Sequence, residues 1–155
     1  MTQLHEGDPA PDFELRDGDG KTWRLSRLRG DPVVVYFYPA DDTPGCTRQA
    51  CDFRDARNVF QDAGYTVLGI SPQGARSHRT FTQKYALNFP LLIDEDYTVA
   101  QAYGVKATKR RFFKNVPLDV VRSTFVVDRE GRIAEALYGV SGKGHVAELR
   151  GLLEI

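Results

Sequence analysis

The chain is short of several things, and each shortage closes off a class of protein. Only two of its 155 residues are cysteine, too few for the disulfide framework of a small secreted domain. Its three histidines, His5, His78 and His145, stand far apart and away from the cysteines, so no four-ligand metal site is expected. Charge of one sign is also missing: 21 Lys and Arg balance 21 Asp and Glu, which leaves no global pull towards nucleic acid or a membrane surface. Apolar runs extend only a few residues, far below the roughly 20 of a membrane helix. The opening MTQLHEGDPAPDF lacks the basic-then-apolar layout of a signal peptide, so a cytoplasmic location is expected. With no repeat, linker or low-complexity tract, residues 1–155 are expected to form a single domain.

What is present reads as an alternation of strands and helices. At 41% hydrophobic and 27% charged residues, the composition is that of a globular protein with a sizeable core. Residues 13–26 predict an edge hairpin about Asp17-Gly18-Asp19-Gly20. Val33 to Tyr38 is a continuous apolar run, the pattern of a central strand covered on both faces. Ala50, Phe53, Ala56, Phe60 and Ala63 recur at helical spacing before Gly64, which predicts one amphipathic helix of several turns. Further on come a strand at 67–70, a helix at 75–86, a strand at 91–93 and a helix capped by Asp94 and ended by Gly104. Residues 105–119 show no period. A hairpin about Asp128-Arg129-Glu130-Gly131 and a last helix with Val146, Leu149 and Leu153 complete the chain. The order predicts an α/β fold: a mixed central sheet flanked by helices, with an N-terminal β-hairpin, best matched by a thioredoxin-like sandwich.

The chemistry is concentrated in Tyr38-Pro39-Ala40-Asp41-Asp42-Thr43-Pro44-Gly45-Cys46-Thr47-Arg48-Gln49-Ala50-Cys51. Thr43 suits a helix N-cap and Pro44 the first helical position. Cys46 then falls in the first turn, where unpaired amides and the helix dipole favour a thiolate. Gly45 is expected to leave the backbone open beside the sulfur. A buried, inert thiol is the plainer reading of Cys46, and a core position on the helix that of Cys51. Five residues apart on an ideal helix, their Cα atoms lie about 8–9 Å apart, beyond the roughly 7 Å that a disulfide spans, so bonding needs local unwinding.

The stretch FYPADDTPGCTRQACDF resembles the active-site segment of peroxiredoxins of the Q type, the bacterioferritin comigratory protein group. The resemblance runs through GDPAPDFEL, GISPQGARSHRTFTQKYALNFPLLID and VVRSTFVVDREGRI, nearly the whole chain. It implies a thioredoxin-like fold and a thiol peroxidase acting on hydrogen peroxide and organic hydroperoxides. It also implies no cofactor, a thioredoxin-like reductant and a monomer. Carried onto this sequence, it makes Cys46 the peroxidatic and Cys51 the resolving cysteine, with Thr43, Pro39 and Arg122 completing the site. Taken alone, Arg122 could equally be a surface-paired strand arginine.

Other readings of the same residues remain. A disulfide reductase would use C-x-x-C, whereas four residues separate Cys46 and Cys51 here. A redox-sensing module could use the same pair to signal to a partner. Lys106, Lys109, Arg110, Arg111 and Lys114 surround Phe112 and Phe113 in a segment unlike its family counterparts. This is read as a solvated basic loop with both rings tucked against the core, with an acidic partner or nucleic acid as the alternatives. Asp41 and Asp42 are expected to be solvated turn carboxylates. His78 and His145 are read as polar-face helix residues without a role, and Trp23 as a packing residue of the hairpin.

Overall fold

The computed structural model describes residues 3–155; Met1 and Thr2 of the polar opening lie outside them. The central sheet has five strands in the order β5 (Leu91–Ile93), β4 (Thr66–Ser71), β3 (Val33–Phe37), β8 (Ser123–Val127) and β9 (Ile133–Leu137). β3 runs parallel to β4 and antiparallel to β8, so the sheet is mixed, as the order of elements predicts. Every residue of β3 is buried, because it has a strand on each side and a layer on each face. Its side chains alternate between two cores. Val33, Val35 and Phe37 pack with Leu68, Tyr103 and Phe125 on one face. Val34, Tyr36 and Tyr38 pack with Phe53, Phe60 and Leu149 on the other.

The second face is covered by α1 (Pro44–Asp55), α2 (Arg57–Asp62), α3 (Ala75–Tyr85) and α5 (His145–Leu153). The first carries α4 (Thr98–Ala102) and a 3₁₀ turn at Leu25–Leu28. The N-terminal hairpin, β1 (Glu14–Arg16) with β2 (Thr22–Arg24), is a two-stranded sheet of its own. It sits against edge strand β5 through a bridge between Asp17 and Leu92. Trp23 packs there as expected, and its indole N–H also donates to Asp17 Oδ2 at 3.0 Å, tying the second arm to the turn.

Four local features depart from the sequence reading. The single helix expected through Ala63 is two helices, because the backbone leaves helical geometry at Ala56 (φ −93°, ψ 3°). Phe53 and Phe60 still meet in one core, their rings 5.7 Å apart across the break. Residues 105–119 are not featureless: β6 (Lys106–Phe113) and β7 (Val116–Val120) form an antiparallel hairpin. Lys114 (φ 45°) and Asn115 (φ 67°) turn its tip in the left-handed region, the backbone of a tight two-residue hairpin turn. The rings there are not both tucked in, since Phe112 is 59% exposed. Asp94 does hold the start of α4, but from further upstream than an ordinary cap: its oxygens accept the amides of Val99 and Ala100 at 3.1 and 2.9 Å.

Candidate active site

The parallel arm of the sheet sets the position of the site. β3 ends at Phe37, and the chain passes through Tyr38 to Thr43 into α1, whose first residue is Pro44. Because Phe37 pairs with Ser123, Arg122 stands just outside the sheet over this same loop. Thus Pro39, Thr43, Cys46 and Arg122, separated by up to 83 positions in sequence, are gathered at the carboxyl end of β3, where ligands of open α/β sheets bind. Cys51 lies further along α1, and both cysteines are free thiols, Cys46 buried and Cys51 half-buried.

Cys46 is 1% exposed, and its Sγ accepts a hydrogen bond from Arg122 Nη2 at 3.3 Å. The other guanidinium nitrogen, Nη1, donates to Gln49 Oε1 at 2.7 Å. The guanidinium is therefore held as a bridge between two residues of one helix face, three positions apart. Gln49 itself is fully buried, and its Nε2 is left without a partner. Gln49 is not among the residues expected from sequence, although a polar residue inside the apolar stripe Cys46, Gln49, Ala50, Phe53 was a usable signal.

Gly45 is not open beside the sulfur. A Cβ there would stand 2.9 Å from Arg122 Nη2, so the glycine makes room for the guanidinium. Gly142, in the loop after β9, lies directly on the Gly45 backbone, and a Cβ there would fall onto the Gly45 carbonyl. Thr43 occupies the N-cap position but makes no side-chain cap. Its hydroxyl instead donates to the Ala40 carbonyl at 2.8 Å, closing the loop upon itself. The Thr47 amide then makes the first turn's bond to the Thr43 carbonyl at 2.8 Å, which leaves the amides of Gly45 and Cys46 without an intrahelical acceptor.

Asp41 is not solvated: its side chain is 3% exposed and surrounded by donors. Oδ1 accepts the Tyr38 hydroxyl at 2.6 Å, and Oδ2 accepts the Ser77 hydroxyl at 2.7 Å and faces His78 Nδ1 at 2.6 Å. His78 is therefore buried, not on a polar face; with Phe81 and Tyr85 it follows the three-and-four spacing of the inner stripe of α3. Asp42 does stand at the surface, where Lys84 and the Tyr85 hydroxyl reach it, each at 2.8 Å. The Lys84 ammonium holds the Asp42 carboxyl below the usual range. His145 is buried as well, its Nε2 2.8 Å from Thr124 Oγ1. Burial, opposed by Glu148 and assisted by Arg122, pushes its imidazole below the ordinary histidine value. Burial likewise drives the Tyr36 and Tyr38 phenols upward, so both stay neutral beside the loop.

No group of three or more His, Cys, Asp or Glu side chains among the described residues is placed to hold a metal ion. No helix among them is long and apolar enough to cross a membrane. The chemistry this arrangement offers is that of a buried sulfur with a fixed cation against it and unpaired amides behind it.

Comparison with known proteins agrees over most of the chain. The model of the AhpC/TSA family matches residues 6–136. Peroxiredoxin Bcp of Bacillus subtilis is 42% identical over 142 residues, covering 92% of this chain and 90% of its own. The chloroplastic peroxiredoxin Q of Oryza sativa subsp. japonica is 44% identical over 154 residues, 98% of this chain and 68% of its own. Among solved structures, PrxQ of Xylella fastidiosa superposes with a TM-score of 0.89 at 30% identity, covering 99% of this chain and 98% of that one. Peroxidoxin BcpB of Mycobacterium tuberculosis gives 0.85 at 36% identity, covering 98% and 97%. The fold is thus thioredoxin-like, and the chain belongs to the AhpC/TSA family, among the peroxiredoxins of the Bcp and Q type, which makes it a thiol-dependent peroxidase.

Proposed function

We propose that Cys46 reduces hydrogen peroxide and organic hydroperoxides, that Cys51 resolves the product, and that a thioredoxin-like dithiol regenerates the protein. The observation that carries this reading is the Arg122 guanidinium, 3.3 Å from Cys46 Sγ and fixed by Gln49. The Cys46 thiolate attacks the nearer peroxide oxygen; the S–O bond forms as the O–O bond breaks, and the leaving oxygen takes a proton to depart as water or alcohol. Arg122 stabilises both the attacking sulfur and the charge developing on the leaving oxygen. Thr43, its own proton engaged by Ala40, accepts a hydrogen bond from the peroxide hydroxyl. Pro39 walls the pocket and brings no N–H to compete for the substrate.

The sulfenic acid on Cys46 then condenses with the Cys51 thiol, losing water and forming a disulfide. α1 holds the two residues too far apart for this, so its first turns unwind. Exchange with an external dithiol returns both thiols. A reducing compartment suits this cycle. The protein acts as a monomer in it, since both cysteines come from one helix and no second chain is needed.

Titrating the reduced protein with hydrogen peroxide, with intact mass and free thiols followed in wild type, Cys46→Ser and Cys51→Ser, tests the assignment. Paired loss of both thiols per peroxide in wild type, an inert Cys46→Ser and a Cys51→Ser that halts at sulfenic or higher acids are expected. Consumption at the wild-type rate by Cys46→Ser overturns it.

A further inference from the structure

The loop that delivers Cys46 is held unevenly. Its first half is largely buried and tied to one side chain on either side of Ala40: Gln73 Nε2 donates to the Pro39 carbonyl at 3.2 Å, and the Asp41 amide donates to Gln73 Oε1 at 3.0 Å. The Asp41 carboxylate takes hydroxyls from Tyr38 and Ser77 and meets His78. His78 reaches on through Nε2 to the Leu92 carbonyl of β5, at 2.9 Å. Both ring nitrogens of His78 and both carboxylate oxygens of Asp41 thus have a hydrogen-bonding partner. The second half has no buried side-chain tie to a neighbouring element; the Thr43 hydroxyl bonds only within the loop, to the Ala40 carbonyl at 2.8 Å. Asp42 is tied only at the surface, Thr43 does not cap the helix, and Gly45 follows.

We infer that Asp41 and His78 form a buried latch that fixes the stationary end of the unwinding segment and sets the balance between the folded site and the open state in which Cys46 reaches Cys51. The inference rests on the two-cysteine cycle proposed for this chain. Both residues are positioning residues: they act through the loop backbone on Thr43 and Cys46 and touch neither sulfur nor substrate. The folded site reduces peroxide, and the open one forms the disulfide. Loosening the latch therefore moves the two steps in opposite directions, slowing the first and speeding the second. It also protects Cys46 from a second peroxide, because the sulfenic acid leaves the pocket sooner.

The test is stopped-flow measurement of both rate constants, with the peroxide concentration that converts half of Cys46 to sulfinic acid, in wild type, Asp41→Asn, His78→Gln, the double variant and Lys84→Ala. Loss of a charge-assisted bond of this kind is expected to shift each constant by about tenfold, in opposite senses, and to raise the sulfinic threshold. The double variant should match the singles, as two halves of one contact do. Lys84→Ala, which breaks only the exposed tie to Asp42, should leave the ratio of the two constants unchanged. Should the buried variants fail to fold, Ser77→Ala removes one donor from the same carboxylate and is expected to give a smaller shift of the same opposed kind. Both constants falling together, neither moving in a folded variant, or additive effects in the double variant overturns the latch. If wild type forms no Cys46–Cys51 disulfide, the two-cysteine reading fails first and takes the latch with it.

Discussion

Replacing Gly45 with alanine separates the chemistry of the site from the stability of the helix that carries it. Gly45 is not among the glycines with positive φ, so an L side chain suits its backbone. Alanine is the better helix former, by up to about 1 kcal/mol in a helix interior and less in a first turn. The new Cβ, however, would stand 2.9 Å from Arg122 Nη2 and 3.7 Å from Cζ. The end of a long side chain yields more readily than backbone, so the guanidinium swings aside. It then gives up its bonds to Cys46 Sγ and Gln49 Oε1. A hydrogen bond to a charged group is worth about 1.5–3 kcal/mol, which corresponds to a rate constant for peroxide reduction lower by about 10- to 100-fold. Single-turnover peroxide consumption measures the rate, and urea unfolding followed by Trp23 fluorescence measures the stability. The expected outcome is a slow protein at least as stable as wild type. An unchanged rate, or stability lost together with activity, refutes the reasoning, because either result means that the guanidinium is not what gives way.

Other consequences are open to equally direct measurement. Gln49→Leu removes the second anchor of Arg122 and is expected to slow peroxide reduction about tenfold with little change in the unfolding midpoint, a result that Arg122→Lys should reproduce in rate. Phe53→Ala empties a site 1% exposed and stacked 4.6 Å from the Tyr36 ring, and should cost about 3–5 kcal/mol in urea unfolding. The Arg110 guanidinium holds the Asp119 carboxyl down at about 2. That contribution to stability is fully present above about pH 4, where an unfolded aspartate is also ionised, and is lost as pH falls from there towards 2. The free energy of urea unfolding should thus decline less between pH 5 and 2.5 in Asp119→Asn than in wild type, by about 1 kcal/mol once screening at the exposed Arg110 is allowed for; equal declines argue against the pair.

The order of strands and helices was legible because β3 reads as an unbroken apolar run and the flanking helices carry clear three-and-four spacing. The β6–β7 hairpin escaped because β6 is mostly exposed and cationic, so it shows no alternation, and β7 is a short strand interrupted by Pro117. Its one signal was Asn115, a residue tolerant of positive φ, in a two-residue turn. Nothing in the residue types at 55–57 announces the break at Ala56. Within the candidate site, the places of Thr43 and Cys46 at the start of α1 were legible from local helix chemistry, but the turn of the Thr43 hydroxyl onto Ala40 in place of a cap was not; Arg122 was reached only by resemblance, since strand pairing, not sequence spacing, brings it over the loop. Asp41 and His78 were misread for the same reason. A carboxylate in a turn and an imidazole on a helix look solvated one at a time, and only the fold shows that each is the other's partner.

Gly142 rests on Gly45 with no side chain between them, so the first turn of α1 serves as the floor of the 139–144 loop. In the two-cysteine cycle proposed for this chain, unwinding of that turn would take the floor away as Cys46 moves towards Cys51, and the loop would have to find a new arrangement. The reduced and oxidised molecules of that cycle would differ in outline at a surface that contains neither cysteine. Whatever touches residues 139–144, whether a protease, an antibody or a reductant choosing its substrate, would then sense the oxidation state of a buried sulfur without meeting it.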